Sequence, residues 1–389
     1  MAMAIQVVMV LLTLSGLAYM LLALWGARDF ARSAGKQTGF SPDVTILKPV
    51  KGIDPRMYAG FVSHCRQNYP GTFEILFGVS SLTDPAVGEI ERLRTEFPDA
   101  AIRLVECSQR LGTSGKVSNL VQMIAAGTYE HIVINDSDIA VSPDYLSLVM
   151  SGFSDPAVGM VTAPYLGRTA TSGEGLTVWS KLEALGIATD FMPGVLTARK
   201  LEDGLRFGLG STLAMTRTSL GKAGGFEPLV EYLADDYEVG ARIAAAGYRV
   251  ELCPVVVETT VPGYDLKGYW DHQMRWARST RDSRKMGYVG LGVTYVIPWA
   301  LATMVASGFA LWSFTLMSIV LLARVAVALA VGVGLLRDGQ VLRDLWLLPL
   351  RDLTGLTFWA WSFAGDTVVW RGETFRLRDG RIEPIDARV

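Results

Sequence analysis

Charge is missing from this chain in two long blocks, and no other property restricts its possible folds as strongly. Residues 4–25 carry no charge and are mostly Leu, Val, Met and Ala, while residues 291–336 carry a single charge, Arg324. About 20 apolar residues suffice to cross the ~30 Å hydrocarbon layer of a bilayer as a helix. The first block is therefore read as a transmembrane helix. A cleaved signal peptide is disfavoured because no basic region precedes the apolar run and the run is long. Arg28, Arg32 and Lys36 follow it, so the positive-inside rule puts the downstream side in the cytoplasm.

The second block is long enough for two membrane helices with a turn near residues 308–313. Residues 345–363 form a further apolar stretch, but Pro349, Arg351 and Asp352 interrupt it. A charged pair in mid-membrane is costly, which favours an interfacial or re-entrant segment over a fourth span. Arg376, Arg378, Arg381 and Arg371 would then lie in a cytoplasmic tail. The implied division is an N-terminal transmembrane helix (1–27), a cytoplasmic domain (41–263), an interfacial helix (264–288), two transmembrane helices (289–336), the interrupted segment (341–366) and the tail (367–389).

Between these blocks the composition is that of a soluble domain. No Lys- or Arg-rich run points to nucleic acid, and the net charge of -2 argues against it as well. Cys65, Cys107 and Cys253 lack metal-ligand spacing, and an odd count of 3 leaves one unpaired, which suits a reducing compartment. Strand-like and helix-like runs alternate from residue 41 to 143, the pattern of an α/β nucleotide-binding fold. Strands are expected at 44–47, 74–79, 103–106 and 132–134, and helices at 57–68, 84–97 and 116–126.

The fourth of these strands runs into HIVINDSDI (131–139), so Asp136 and Asp138 stand where a buried strand ends. On an extended backbone positions 136 and 138 face the same side. Two converging carboxylates suit Mg²⁺ or Mn²⁺, with coordination positions left for a diphosphate. Ligands of open α/β sheets bind at the carboxyl ends of strands, which raises this tripeptide above a simple helix-capping turn. GTSGKVSN (112–119) lacks the glycine spacing of a phosphate loop, yet Lys116 and backbone N–H groups at a helix start could meet a diphosphate. A solvated cap is the alternative.

Further along, residues 173–193 place Leu176, Trp179, Leu182, Leu185 and Ile187 along one helical side, for core packing or for a lipid surface. The glycines of 207–215 would admit either a ligand or a tight turn. Asp235 and Asp236 open a helix that Gly247 ends. Capping explains them, and so does a general base: helix dipole and metal lower such a pKa while the adjacent carboxylate raises it, leaving the group ionised at neutral pH. Arg275, Arg278, Arg281 and Arg284 recur every third residue beside Trp276, as a face for anionic headgroups or, with His272, as a closure of the active site that neutralises a leaving diphosphate.

Taken together, VTILKPVKG (44–52), GKVSN (115–119), Asp136-Ser-Asp138, LADD (233–236) and Arg275-Trp276 resemble the GT-A membrane glycosyltransferases of the ceramide glucosyltransferase family, glycosyltransferase family 21. VETTV (257–261) and HQMRWAR (272–278) look closest to its bacterial, hopanoid-biosynthesis-associated branch. The resemblance implies an α/β, GT-A nucleotide-sugar domain with N- and C-terminal transmembrane helices. It implies that Lys48, Asp84, Lys116, Asn119 and Asp136 contact a UDP-sugar, that Asp138 with Asp136 holds a divalent cation, and that Asp236 is the catalytic base with Asp235 as its acidic neighbour. Arg275 and Trp276 match the end of the family's (Gln/Arg)-x-x-Arg-Trp motif, and His272 departs from it at the first position. The implied reaction is single, inverting transfer of a hexose from a UDP-sugar to a lipid hydroxyl, ceramide or a polyhydroxylated hopanoid, at the cytoplasmic face of a bacterial inner membrane. A processive polysaccharide synthase and a non-catalytic nucleotide-sugar binder are the competing readings.

Overall fold

A computed structural model describes residues 1–33, 38–173, 175–370 and 372–385. Lys36 and Arg371, read above as cytoplasmic basic residues, lie outside the described residues. Twelve strands are described: β1 (Val44–Pro49), β2 (Phe73–Val79), β3 (Ile102–Glu106), β4 (His131–Ile134), β5 (Val158–Thr162), β6 (Tyr165–Arg168), β7 (Leu213–Thr216), β8 (Arg249–Leu252), β9 (Val257–Thr260), β10 (Thr367–Trp370), β11 (Glu373–Arg378) and β12 (Arg381–Pro384).

Among the described residues seven of them form one sheet in the order β3-β2-β1-β4-β7-β5-β8. β1 pairs in parallel with both β2 and β4, and its Val44, Thr45, Ile46 and Leu47 are all buried, as a strand covered on both faces requires. Helices Met57–Cys65, Ala86–Glu96 and Gly115–Ala126 make the crossovers. Because the chain leaves β1 toward β2 and β3 and then returns to the other flank of β1 as β4, the strand order reverses between β1 and β4. Helices diverge from such a point and leave a crevice at the carboxyl ends. β7 runs antiparallel to β4 and β5, and the short parallel pair β6-β9 covers the exit of β4 through an Ala140–Glu258 bridge.

Helix Ala2–Ser33 has 32 residues, about 48 Å at 1.5 Å per residue, and is long and apolar enough to cross a membrane. It lies so close to its neighbours that a Cβ at Gly16 or Gly26 would stand 2.7 Å from the carbonyl oxygens of Val293 or Leu196. Asp29 holds its lower end against Arg199 and Lys200 at 2.9 and 2.8 Å. Of the two helices expected within 289–336, one is the 25-residue run Leu311–Leu335. The other is Val296–Ala306, which continues Lys285–Thr294 across a 58° bend and makes a third candidate span only when joined to it. The turn between the two falls at Gly308 and Phe309, both at positive φ. Helix Leu348–Ser362 has 15 residues, about 22 Å, short of the hydrocarbon thickness.

Within the segment expected as a tail, Thr367–Trp370, Glu373–Arg378 and Arg381–Pro384 form the antiparallel sheet β10-β11-β12, with Phe375, Leu377 and Ile382 buried and Arg376 and Arg378 outside. An Asp379-Gly380 turn with φ of 47° and 78° closes the β11-β12 hairpin, the conformation an Asp-Gly pair favours. Leu233 joins this small core, and its N–H donates to the Gly380 carbonyl at 3.0 Å while the Ile382 N–H donates to Glu231 O at 2.8 Å.

Candidate active site

The crevice between β1 and β4 collects charge. Lys48 leaves the end of β1, is wholly buried, and donates to the carbonyl oxygen of Asp136 at 3.1 Å. Burial pushes its ammonium down to about 7 although Asp138 and Asp136 favour the charge. β4 ends at Ile134, and Asn135 is anchored by the Tyr145 hydroxyl at 2.9 Å and the Ser211 carbonyl at 2.7 Å.

Asp136-Ser137-Asp138 then leaves the strand in a turn, so the alternation argued from an extended backbone does not apply to it. Asp136 faces the crevice with its side chain 42% exposed. Asp138 Oδ2 instead accepts from Thr259 Oγ1 at 2.5 Å and from the Thr260 N–H at 2.9 Å, on β9. Burial, with Asp136 nearby, raises its pKa.

Lys116 is the hub. Ser114 caps its helix by accepting from the Val117 N–H at 3.4 Å, and Lys116 Nζ lies 3.0 Å from Asp136 Oδ1 and 3.3 Å from Asp235 Oδ2. Burial alone would depress its pKa, but Asp136, Asp235 and Asp236 outweigh that and raise it, so the ammonium is charged. Asp235 and Asp236 open helix Asp235–Ala245. Asp236 Oδ1 accepts from the Tyr237 N–H at 2.8 Å, and a Cβ at Gly210 would stand 2.9 Å from Asp236 Oδ2. The Gly208 N–H donates to the Asp236 carbonyl at 3.2 Å. The glycines of 207–215 thus let the chain press against the base of this helix. Desolvation first, then Asp235, lift Asp236 to about 6 against the pull of Lys116. Asp235 is raised too, by burial above all.

Two expected contacts stand outside this cluster. Asp84 accepts from the Gly52 N–H at 3.0 Å and the Ala86 N–H at 2.9 Å, tying the end of β1 to a helix start. Asn119 is buried and accepts from Ser80 Oγ at 3.1 Å, which places it between helix and sheet.

Helix Leu266–Ser283 brings the remaining motif. The His272 ring stacks on Tyr264 (centroids 5.4 Å, 25°) and lies 5.0 Å from Trp276, which in turn lies 6.1 Å from Phe191. Arg275 acts electrostatically on Tyr264. The expected headgroup face is not formed by the other arginines. Arg278 donates to the Thr367 carbonyl, Arg281 to the Gly365 carbonyl at 2.9 Å and to Ser362, and Arg284 pairs with Glu202. These contacts bind the helix to β10 and its approach, because a guanidinium satisfies several carbonyls at once.

Sequence reasoning missed Glu183, Asp190 and Tyr165. Glu183 is 3% exposed, with its carboxylate 3.2 Å from His272 Nδ1. Tyr165 is buried, and desolvation with Asp236, Glu183 and Asp136 pushes its hydroxyl pKa up. The available signal was a carboxylate one step after Leu182 on an otherwise apolar stripe.

Among the described residues no group of three or more His, Cys, Asp or Glu is arranged to hold a metal. Asp136 Oδ1 is engaged by Lys116 and Asp138 Oδ2 by Thr259 and Thr260, and each carboxylate keeps a second hard oxygen of the kind Mg²⁺ or Mn²⁺ takes.

Sheet order, crevice and the aspartates at its mouth are the architecture of a GT-A glycosyltransferase. A solved mannosyltransferase from Pyrobaculum calidifontis, in complex with GDP-Man and Mn²⁺, has the same fold with a TM-score of 0.56 and 22% identity, covering 92% of this chain and 97% of that one. The chain belongs to Glycosyl transferase family 21, whose family model matches residues 8–383. Ceramide glucosyltransferase 3 of Caenorhabditis elegans is 24% identical over 245 residues, 62% of this chain and 51% of that protein. The ceramide glucosyltransferase of Komagataella phaffii is 38% identical over 108 residues, 27% of this chain and 21% of that one. This chain therefore spans about half the length, or less, of the curated relatives it matches.

Proposed function

We propose that this protein is a membrane-bound, inverting glycosyltransferase that moves one hexose from a UDP-sugar to the hydroxyl of a membrane lipid. The observation that carries the reading is Lys116 held between Asp136 at 3.0 Å and Asp235 at 3.3 Å, with Asp236 beside them. Such a site has a fixed cation for a diphosphate and a carboxylate poised to take a proton. Lys116, with Lys48 behind Asp136, meets the charge that builds on departing UDP. Asp138 with Asp136 would hold a divalent cation, which when bound neutralises the diphosphate further. Asp236 removes the acceptor proton as the hydroxyl attacks the anomeric carbon. Its pKa of about 6 leaves it ionised at neutral pH and a stronger base than an ordinary aspartate. The relatives' names favour glucose as the sugar and ceramide as the acceptor, with a hopanoid tetrol the alternative lipid. Arg28 and Arg32, at the end of helix Ala2–Ser33 that leads into the catalytic domain, support a cytoplasmic orientation of that domain at a bacterial inner membrane.

The test is a matrix of UDP-sugars against ceramide and hopanoid acceptors with Mg²⁺ or Mn²⁺, read by UDP release and by mass of the lipid product. A lipid carrying one hexose is expected. An oligosaccharide product would turn the reading to the processive synthase, and UDP-sugar binding without turnover to a sensor.

A further inference from the structure

A continuous polar chain runs from the apolar helices to the active-site histidine. It begins at Asp352, 1% exposed, whose Oδ1 accepts from Arg324 Nε at 2.9 Å. Arg324, the single charge of the 291–336 block, is also 1% exposed, donates to the Thr189 carbonyl at 2.9 Å and pairs with Asp190. Asp190 Oδ2 accepts from Arg351 Nε at 2.6 Å. Arg351 Nη1 donates to Gln273 Oε1 at 3.0 Å and to the Tyr269 hydroxyl at 3.1 Å. Gln273 Nε2 donates to Glu183 Oε2 at 2.5 Å, and Glu183 Oε1 lies 3.2 Å from His272 Nδ1, a buried nitrogen that faces this carboxylate at ion-pair distance without an aligned hydrogen bond.

Local structure is shaped to fit this chain. The helix that carries Glu183 switches to a π-helix over Ile187–Phe191, which turns Thr189 and Asp190 toward Arg324. Gly186 lacks the Cβ that would stand 2.6 Å from Arg351 Nε. Burying two guanidiniums and three carboxylates is costly unless each is paired, and apolar residues would have packed the same space without that cost. A charged arrangement of this kind in membrane-proximal helices calls for a functional reason.

We propose that Glu183 is a positioning residue for sugar transfer, its buried carboxylate drawing the His272 proton to Nδ1 by charge while Arg351 and Asp190 fix Gln273 on the other side of the carboxylate. This rests on the transfer reading above. Where the family motif has Gln or Arg, this chain has a histidine, whose ring can turn and whose proton can sit on either nitrogen. A buried carboxylate at Nδ1 sets both, as the partner of one ring nitrogen determines the state of the other. Nε2 lies on the opposite edge of a side chain that is 19% exposed and is then the unprotonated nitrogen. The aromatic planes of Tyr264 and Trp276 restrict the ring's remaining freedom.

The experiment uses the full chain in detergent with ¹⁵N-labelled histidine. Only 3 histidines are present, and His272→Gln assigns the relevant resonances. In the parent protein Nδ1 of His272 should carry the proton. In Glu183→Met, which keeps volume and removes the acceptor, the proton should move to Nε2, with kcat reduced at least tenfold and the KM for UDP-sugar changed less than twofold. Glu183→Gln keeps an accepting oxygen and should retain the Nδ1 proton and an intermediate kcat. An unchanged Nδ1 signal in Glu183→Met would overturn the proposal, whatever the activity. So would a change confined to KM, or a loss of kcat in Glu183→Gln equal to that in Glu183→Met. Should the parent protein transfer no sugar, the transfer reading fails separately, and the nitrogen spectrum still decides whether Glu183 governs His272.

Discussion

Asp236 and Lys116 place opposite demands on their surroundings. The base must be desolvated enough to attract a proton, whereas the lysine must keep its charge inside the same shell. Three carboxylates around one ammonium satisfy both. Asp236→Asn should lower kcat by about 10²–10⁴-fold, the usual contribution of a general base, with UDP-sugar binding retained in calorimetry. Since the base acts deprotonated and its pKa lies at about 6, turnover should rise with pH through that region and level off above it. A rate already flat from pH 5 to 8 would assign the proton to another group. Lys116→Met should weaken UDP binding and raise the pKa of both aspartates, moving the same profile to higher pH, because the ammonium is the strongest influence that lowers them.

At the scale of elements, the charges in the apolar segments act as joints. Arg324→Met leaves Asp352 buried with only the Ile297 N–H at 3.3 Å and removes a partner of Asp190. Breaking a buried pair in this way costs about 3–5 kcal/mol, and Arg324→Met with Asp352→Leu should recover part of it. Thermal unfolding in detergent checks both. Much of this level was legible in the sequence. Alternating β- and helix-forming runs placed the first four strands within a residue or two, and the aspartates stood where those strands end. What stayed hidden depends on tertiary pairing. Arg324, Arg351 and Asp352 were visible as interruptions of apolar segments, but their mutual neutralisation through Asp190 needs the π-helix at Ile187–Phe191, which local pattern does not reveal. The bonds that Asn119 accepts from Ser80 and Asp84 from Gly52 and Ala86 likewise join segments that local pattern does not connect.

Across the whole molecule, segments far apart in sequence converge on the loop that leads into Asp235 and Asp236. The Asp-Gly hairpin signal at 379–380 was present in the sequence, and the arginine-rich composition around it obscured the β alternation of Phe375 and Leu377. β12 anchors residues 231–233 by backbone hydrogen bonds, Lys285 pairs with Asp379 at 3.0 Å, and Arg278 and Arg281 hold the approach to β10. A chain truncated after Gly365 should enter the membrane fraction as the parent does, yet transfer sugar at least tenfold more slowly, as membrane fractionation and UDP release would record. The small sheet also imposes an order on biosynthesis. Residues 2–362 leave the ribosome, and the apolar helices can settle in the bilayer, while Glu231 and Leu233 still lack their backbone partners in the small sheet. The partners of residues 231 and 233 arrive only with residues 380–382, so the segment that leads into Asp235 and Asp236 is among the last parts of the fold to be fixed.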